Sequence, residues 1–235
     1  MPTVQALYLS LVDPGRAMPE VARSGRFLPA LIAATAAAVL SAAATVPRLD
    51  FARAADEALD RGPDAAQMTP RQREDAVAAA RKLGSVGRYA GALFGPALSA
   101  LGAAAALWLG FAIAGGKPAF RPTFAVASFA QLPGALRQLL AVPAALRAQA
   151  IDPVELPRLV PSSLGALLPP GSSGPGASFL FALDLFALWA VAMVALGMAQ
   201  AAQVSRRRAA ATTALLWLAW VAVFEVALPR LGGAR

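Results

Sequence analysis

Three ionisable side chains fall inside stretches otherwise too apolar to hold them: Arg137, Asp184 and Glu225. A charge in hydrocarbon costs roughly 2.5 kcal/mol or more on insertion scales, so each calls for a partner or for water. The chemistry open to such a set is ion pairing, or the relay of a proton or ion along a polar path. At about 1.5 Å of rise per residue, Arg137 lies roughly 14 Å, Asp184 roughly 8 Å and Glu225 roughly 5 Å from the same surface. A long arginine side chain can reach outward to close such a gap. An Arg137–Asp184 ion pair is therefore expected, with Glu225 nearby or solvated at the interface. Gln131, about one and a half helical turns from Arg137, is the residue that could extend the polar set inward. The pair reads either as a clamp between two helices or as a pocket for a proton, an ion or a lipid headgroup. Pairing alone is what insertion demands, and transport calls for a longer polar path, so the clamp is favoured.

Other chemistry is excluded by composition. The chain of 235 residues has no histidine and no cysteine. The usual zinc, haem and iron–sulfur ligand sets are absent, as is any disulfide framework. Cys–His and Ser–His–Asp nucleophile arrangements are absent too. No catalytic residue, metal ligand or cofactor site can be named, and the chain reads as a non-enzyme.

The elements that would position the charges follow from the hydrophobic pattern. Residues are 58% hydrophobic and 14% charged, against about half and a quarter in soluble domains, and the excess is concentrated in blocks. A spanning helix needs about 20 mostly apolar residues. Five blocks qualify: 27–47, 89–114, 122–146, 178–204 and 210–228. The expectation is an all-α polytopic bundle of five transmembrane helices with a helical extramembrane insert. Pro133 inside the third block removes a backbone donor and predicts a kink. Gly91 and Gly95 form a GxxxG pair in the second block. Packing within the chain is the favoured reading of that pair, and a homo-oligomer face is the alternative. The first block is preceded by about 26 residues, longer than the charged leader of a signal peptide, so a retained span is expected.

The remaining segments are polar. In residues 1–26, Val4, Leu7, Tyr8 and Leu11 follow i, i+3, i+4, i+7 spacing. They read as a short amphipathic helix ended by Asp13-Pro14-Gly15, lying in the membrane interface or packed under the bundle. In the loop 48–88, Asp50 can cap a helix that closes near Gly62. Thr69-Pro70-Arg71-Gln72 is a capping box, with Gly84 expected as the stop. Charges there nearly balance and aromatics are scarce, so the net +8 does not form a nucleic-acid surface. The stretch 147–177 is broken by six prolines and reads as an extended loop, with one helical turn around Ser163 to Leu168.

Two short turns carry uninterrupted basic charge: Lys117 with Arg121, and Arg206-Arg207-Arg208. With five spans, both fall on the side of the N-terminus. The positive-inside rule then makes that side cytoplasmic, although the loop 48–88 holds many arginines of its own. The favoured role of Arg206, Arg207 and Arg208 is a topology signal, and they would also attract anionic headgroups.

The run Leu183-Asp184-Leu185-Phe186-Ala187-Leu188-Trp189, then Gly197, Ser205-Arg206-Arg207 and Leu216-Trp217, resembles the Yip-domain family of Ypt/Rab-interacting-type membrane proteins. Pro14, Met18 and Pro29 resemble the family's approach to its first span. Gly115-Gly116-Lys117 with Phe120 resembles the turn before its third, and Ala130-Gln131-Leu132-Pro133 the proline stretch within it. Thr69 to Ala80 looks like the helical insert of bacterial members. The resemblance implies five spans and a cytoplasmic N-terminus. Eukaryotic relatives bind small GTPases in vesicle traffic between endoplasmic reticulum and Golgi. Their long acidic cytosolic arm has no counterpart here, and bacterial members are generally of unknown function. Together with the Ala- and Arg-rich usage, the expected location is the inner membrane of a bacterium.

The functional expectation is a non-enzymatic scaffold or adaptor whose partners are the lipid bilayer and other membrane proteins. The alternative is a small transporter or channel using Arg137, Asp184 and Glu225. A lipid-modifying enzyme is the weakest of the three, because no activated nucleophile can be named.

Overall fold

The structure, a computed structural model, describes residues 2–60, 62, 68–153, 155–169, 172 and 174–227, with backbone alone at Glu225 and Val226. It is all-helical, with no named strand among the described residues. In chain order the helices are α1 Thr3–Val12, α2 Pro14–Ser24, α3 Leu28–Thr45, α4 Phe51–Asp60 and α5 Pro70–Ile113. There follow α6 Phe120–Phe129, α7 Leu132–Arg147, α8 Pro175–Ala182, α9 Leu185–Ala201 and α10 Arg206–Trp220. The last continues into wider π-helical turns over Val221–Ala227. The chain divides into two compact units, Met1–Ala34 with Pro96–Arg137 and Pro161–Arg235, and Thr35–Gly95 with Gln138–Val160.

The first unit is built around α9. Helix α2 packs on it, joined by α6 and α10. Its core is made of large and very small side chains in alternation. Met18, Phe111, Val126, Phe129, Met193 and Met198 are fully buried beside Ala30, Ala104, Ala125 and Ala202. Helix α2 was not foreseen in the sequence. Asp13 opens it by accepting the Arg16 N–H at 3.2 Å, and Gly25 closes it in the left-handed conformation that only glycine adopts without strain. Ala17, Met18, Val21 and Ala22 form its buried face.

Helix α1 does not present one apolar stripe. Leu7 and Leu11 pack on the core, whereas Val4, Tyr8 and Val12 point away and are 77, 61 and 63% exposed. One face therefore packs on the protein, while Val4, Tyr8 and Val12 stay exposed. The apolar block 178–204 is also not one helix. It is divided at Leu183–Asp184 into α8 and α9, because the chain there bridges back to Ser163. The third block is divided as well. Helix α6 ends at Phe129 and α7 starts at Leu132, with Pro133 in the first turn of the new helix, where its missing N–H costs nothing.

The second unit centres on Ala38, Ala42, Val46, Leu49, Ala92, Ala145 and Ile151. Asp50 N–H donates to the Ile151 carbonyl at 2.9 Å, and Ile151 N–H to the Arg48 carbonyl at 2.7 Å. Helix α4 folds back along the N-terminal half of α5. The Asp50 carboxylate caps α4 through the Arg53 N–H at 2.9 Å. Thr69 and Gln72 form the reciprocal capping box that opens α5, with Thr69 N–H on the Gln72 side chain at 2.9 Å and Gln72 N–H on the Thr69 hydroxyl at 3.3 Å. Arg73 ties the pair together, 2.7 Å from Asp56 and 2.7 Å from Asp60. The hydrogen bond from Arg73 holds the Asp56 carboxyl below the usual carboxylate range.

Gly84 is not the stop that the sequence suggested. Helix α5 runs through it for 44 residues. A Cβ there would stand 2.6 Å from the Phe51 ring, so the glycine provides the close approach of α4 rather than an ending. The expected span 89–114 is thus the C-terminal part of one long helix. Among the described residues, two helices are long and apolar enough to cross a membrane, Leu28–Arg48 with mean hydropathy 1.8 and Pro70–Ile113 with 1.7. Large apolar side chains stay exposed along α5, Leu83, Leu93, Phe94 and Leu98 among them.

Candidate functional site

The charged centre of the first unit is organised by one carboxylate. Asp184 is 7% exposed and occupies the cap position of α9. Its Oδ1 accepts the N–H of Phe186 at 2.9 Å and that of Ala187 at 3.2 Å, satisfying two of the donors that a helix start leaves open. Its Oδ2 accepts the Ser162 hydroxyl, and the Arg137 Nε stands 3.4 Å away. The same Nε lies 3.0 Å from Ser162 Oγ. Both carboxylate oxygens are therefore engaged by donors, as a buried charge requires.

Backbone pairing sets this geometry. Leu164 N–H donates to the Leu183 carbonyl at 3.1 Å and Leu185 N–H to the Ser162 carbonyl at 2.9 Å. These bonds surround an antiparallel bridge between Ser163 and Asp184. Next to it, the segment Leu164–Leu167 makes a single 3-10 turn, and Gly165 lies against the Phe181 ring, where a Cβ would meet it. Ser162 is the member that sequence reasoning missed. It is 22 residues from Asp184 in a proline-rich loop, and no periodicity connects the two.

The structure does not gather the other expected members. Gln131 turns to α5, donating from Nε2 to the Pro96 carbonyl at 2.8 Å. It sits at the break between α6 and α7 and ties that break to the neighbouring helix, so it does not lengthen the polar path. The Glu225 side chain lies outside the described residues. Gly91 and Gly95 have no atom within 4 Å of a Cβ built on either, so the expected intramolecular packing at this pair is absent among the described residues.

The basic turns divide by role. Arg208 donates to the Ala114 carbonyl just beyond α5, and Arg121 Nε to the Gly25 carbonyl at 3.4 Å just beyond α2. Cations at helix C-termini match the negative end of the helix dipole. Lys117, Arg206 and Arg207 are exposed. The turn itself is held by the Lys117 N–H on the Ala202 carbonyl at 2.9 Å. Among the residues of the run after Leu183, Phe186 and Trp189 stack with ring centres 6.4 Å apart, and Gly197 lets α6 and α2 approach α9, with Val126 and Met18 against it.

No group of three or more carboxylates that could hold a metal ion occurs among the described residues. What the fold and its charged centre define is an all-helical protein with long apolar helices, whose buried acid caps a helix and binds a neighbouring loop. The family model of the Yip1 domain matches residues 8–227, and the chain belongs to that family. The family is membrane-associated and generally non-enzymatic. Neither the curated proteins nor the solved structures contain a match.

Proposed function

We propose that the chain is a five-span protein acting as a non-enzymatic scaffold for membrane proteins or lipids, with the N-terminus, Lys117 and Arg206–Arg208 on the cytoplasmic side of a bacterial inner membrane. One observation carries the reading: Asp184 has a donor for each oxygen, from α9's own amides, Ser162 and Arg137. A carboxylate so engaged is a structural clamp, whereas a relay group needs a lone pair or a proton site open to water. The turn of Gln131 to Pro96 supports the same reading. The open apolar faces of α5 and α1 supply surface for lipid and for partner helices.

Topology is tested directly, because the chain has no native cysteine. Lys117→Cys and Arg206→Cys should label from the cytoplasmic side, and Ser85→Cys and Ser172→Cys from the opposite side. The fully reversed pattern would overturn the cytoplasmic N-terminus, and any other pattern removes the five-span arrangement. Function is tested with Asp184→Asn in proteoliposomes carrying a pH-sensitive dye. A lower folding yield with no change in proton flux supports the clamp. A flux present in the wild type and lost in the variant would establish transport and overturn the scaffold.

A further inference from the structure

The cleft between α4 and the N-terminal half of α5 encloses about 1000 Å³. Its charges are sorted by position. At the end near Pro70, Arg73 is neutralised by Asp56 and Asp60. At the other end, where Phe51 meets Gly84, the lining includes Arg53, Arg81, Lys82 and Ser85. Arg53 is bound to Glu57 at 2.8 Å, and one oxygen of Asp50 is used to cap α4. Among the described residues no carboxylate lies in ion-pair range of Arg81 or Lys82. Glu74, the remaining acid of the lining, is seven residues from Arg81, roughly 10 Å along the helix.

These two cations stand where the surface of α5 turns apolar. Leu83 is 70% exposed, Val86 58% and Tyr89 45%. Cations directly above a band of open apolar side chains, with an aromatic hydroxyl just below, match the level of lipid phosphates. We propose that the Arg81–Lys82 end of this cleft binds the headgroup of an anionic phospholipid. The phosphate meets the two cations while the acyl chains run along the exposed Leu83, Val86 and Leu93 side of α5. The site is separate from the Asp184 centre, and the inference rests on the reading of α5 as a spanning helix.

The test is native mass spectrometry of the full chain in neutral detergent, titrated with phosphatidylglycerol or with phosphatidylcholine. Wild type should retain phosphatidylglycerol in preference, and Arg81→Ala/Lys82→Ala should weaken that retention about tenfold or more, since each cation near anionic lipid contributes to binding. Arg71→Ala, at the opposite end of α5's hairpin half and outside the cleft lining, should leave it unchanged. Equal retention by Arg81→Ala/Lys82→Ala, equal retention of phosphatidylcholine, or full displacement by inorganic phosphate would each overturn the proposal, the last by showing a site for free phosphate. Circular dichroism of the double variant checks that the hairpin is folded. Should it unfold, Arg81→Gln/Lys82→Gln takes its place, with the same outcomes. Purification without detergent as a soluble monomer would instead remove the membrane reading itself, independently of lipid selectivity.

Discussion

Gly197 on α9 lies directly against Val126 on α6: a Cβ at Gly197 would stand 2.6 Å from one Val126 methyl and 2.7 Å from the other. Met18 from α2 closes the same spot, its terminal methyl 3.2 Å from that Cβ position. Three helices thus meet over one missing methyl group. In a lipid setting, where close backbone approach replaces the hydrophobic drive between helices, such a contact is a main source of association.

Gly197→Ala should therefore destabilise the protein by about 1–3 kcal/mol, the usual cost of overpacking. Thermal unfolding in detergent measures it. Gly197→Ala combined with Val126→Ala should recover most of the loss. A single variant as stable as wild type would show that α9 can move away freely.

Asp184→Ala removes the cap of α9 and leaves Arg137 without its carboxylate. A loss of about 3–5 kcal/mol is expected for breaking such a pair from one side. Asp184→Asn should lose less, because an amide oxygen still caps α9. Ser162→Ala should lose about 1.5–3 kcal/mol, the range for a hydrogen bond to a charged group. Equal losses for Asn and Ala at position 184 would contradict the capping role.

The α4–α5 hairpin should respond to acid. Arg73 holds the Asp56 pKa below its unfolded value. The stabilisation is thus fully present above the ordinary carboxylate pKa near 4 and is lost as pH falls through the lower, folded value. Amide exchange in α4 should quicken, relative to its intrinsic rate, as pH drops below about 4. Arg73→Gln should exchange faster at neutral pH and show little further acid step. An acid step of the same size in the variant would assign it to other groups.

The GxxxG pair offers a clean separation of folding from assembly. Among the described residues outside the adjoining helix, nothing lies within 4 Å of a Cβ at Gly91 or Gly95, so Gly91→Ile and Gly95→Ile should change the unfolding temperature little. If two copies meet through this face, energy transfer between labelled chains in liposomes should fall in both variants. Unchanged transfer, with unchanged stability, would place self-association elsewhere or nowhere.

Much of the architecture was written in local patterns. Hydropathy alone marks the apolar helices, since desolvation of a long greasy stretch does not depend on what surrounds it. Asp50, Thr69 and Gln72 announce helix starts because a cap acts within three residues. The depth arithmetic likewise anticipated that Arg137 and Asp184 would come within reach of each other. It did not foresee that Asp184 opens a helix. The tertiary structure decided what depends on a second segment. Gly84 passes for a stop until Phe51 is seen lying on it. Gln131 looks like part of the polar set until Pro96 takes its amide. Ser162 has no sequence signal at all, because its place is set by backbone pairing across 22 residues. Capping and hydrophobicity are short-range and readable in one dimension. The choice among donors for a buried carboxylate, and the space a glycine leaves, exist only once separate parts of the chain have met.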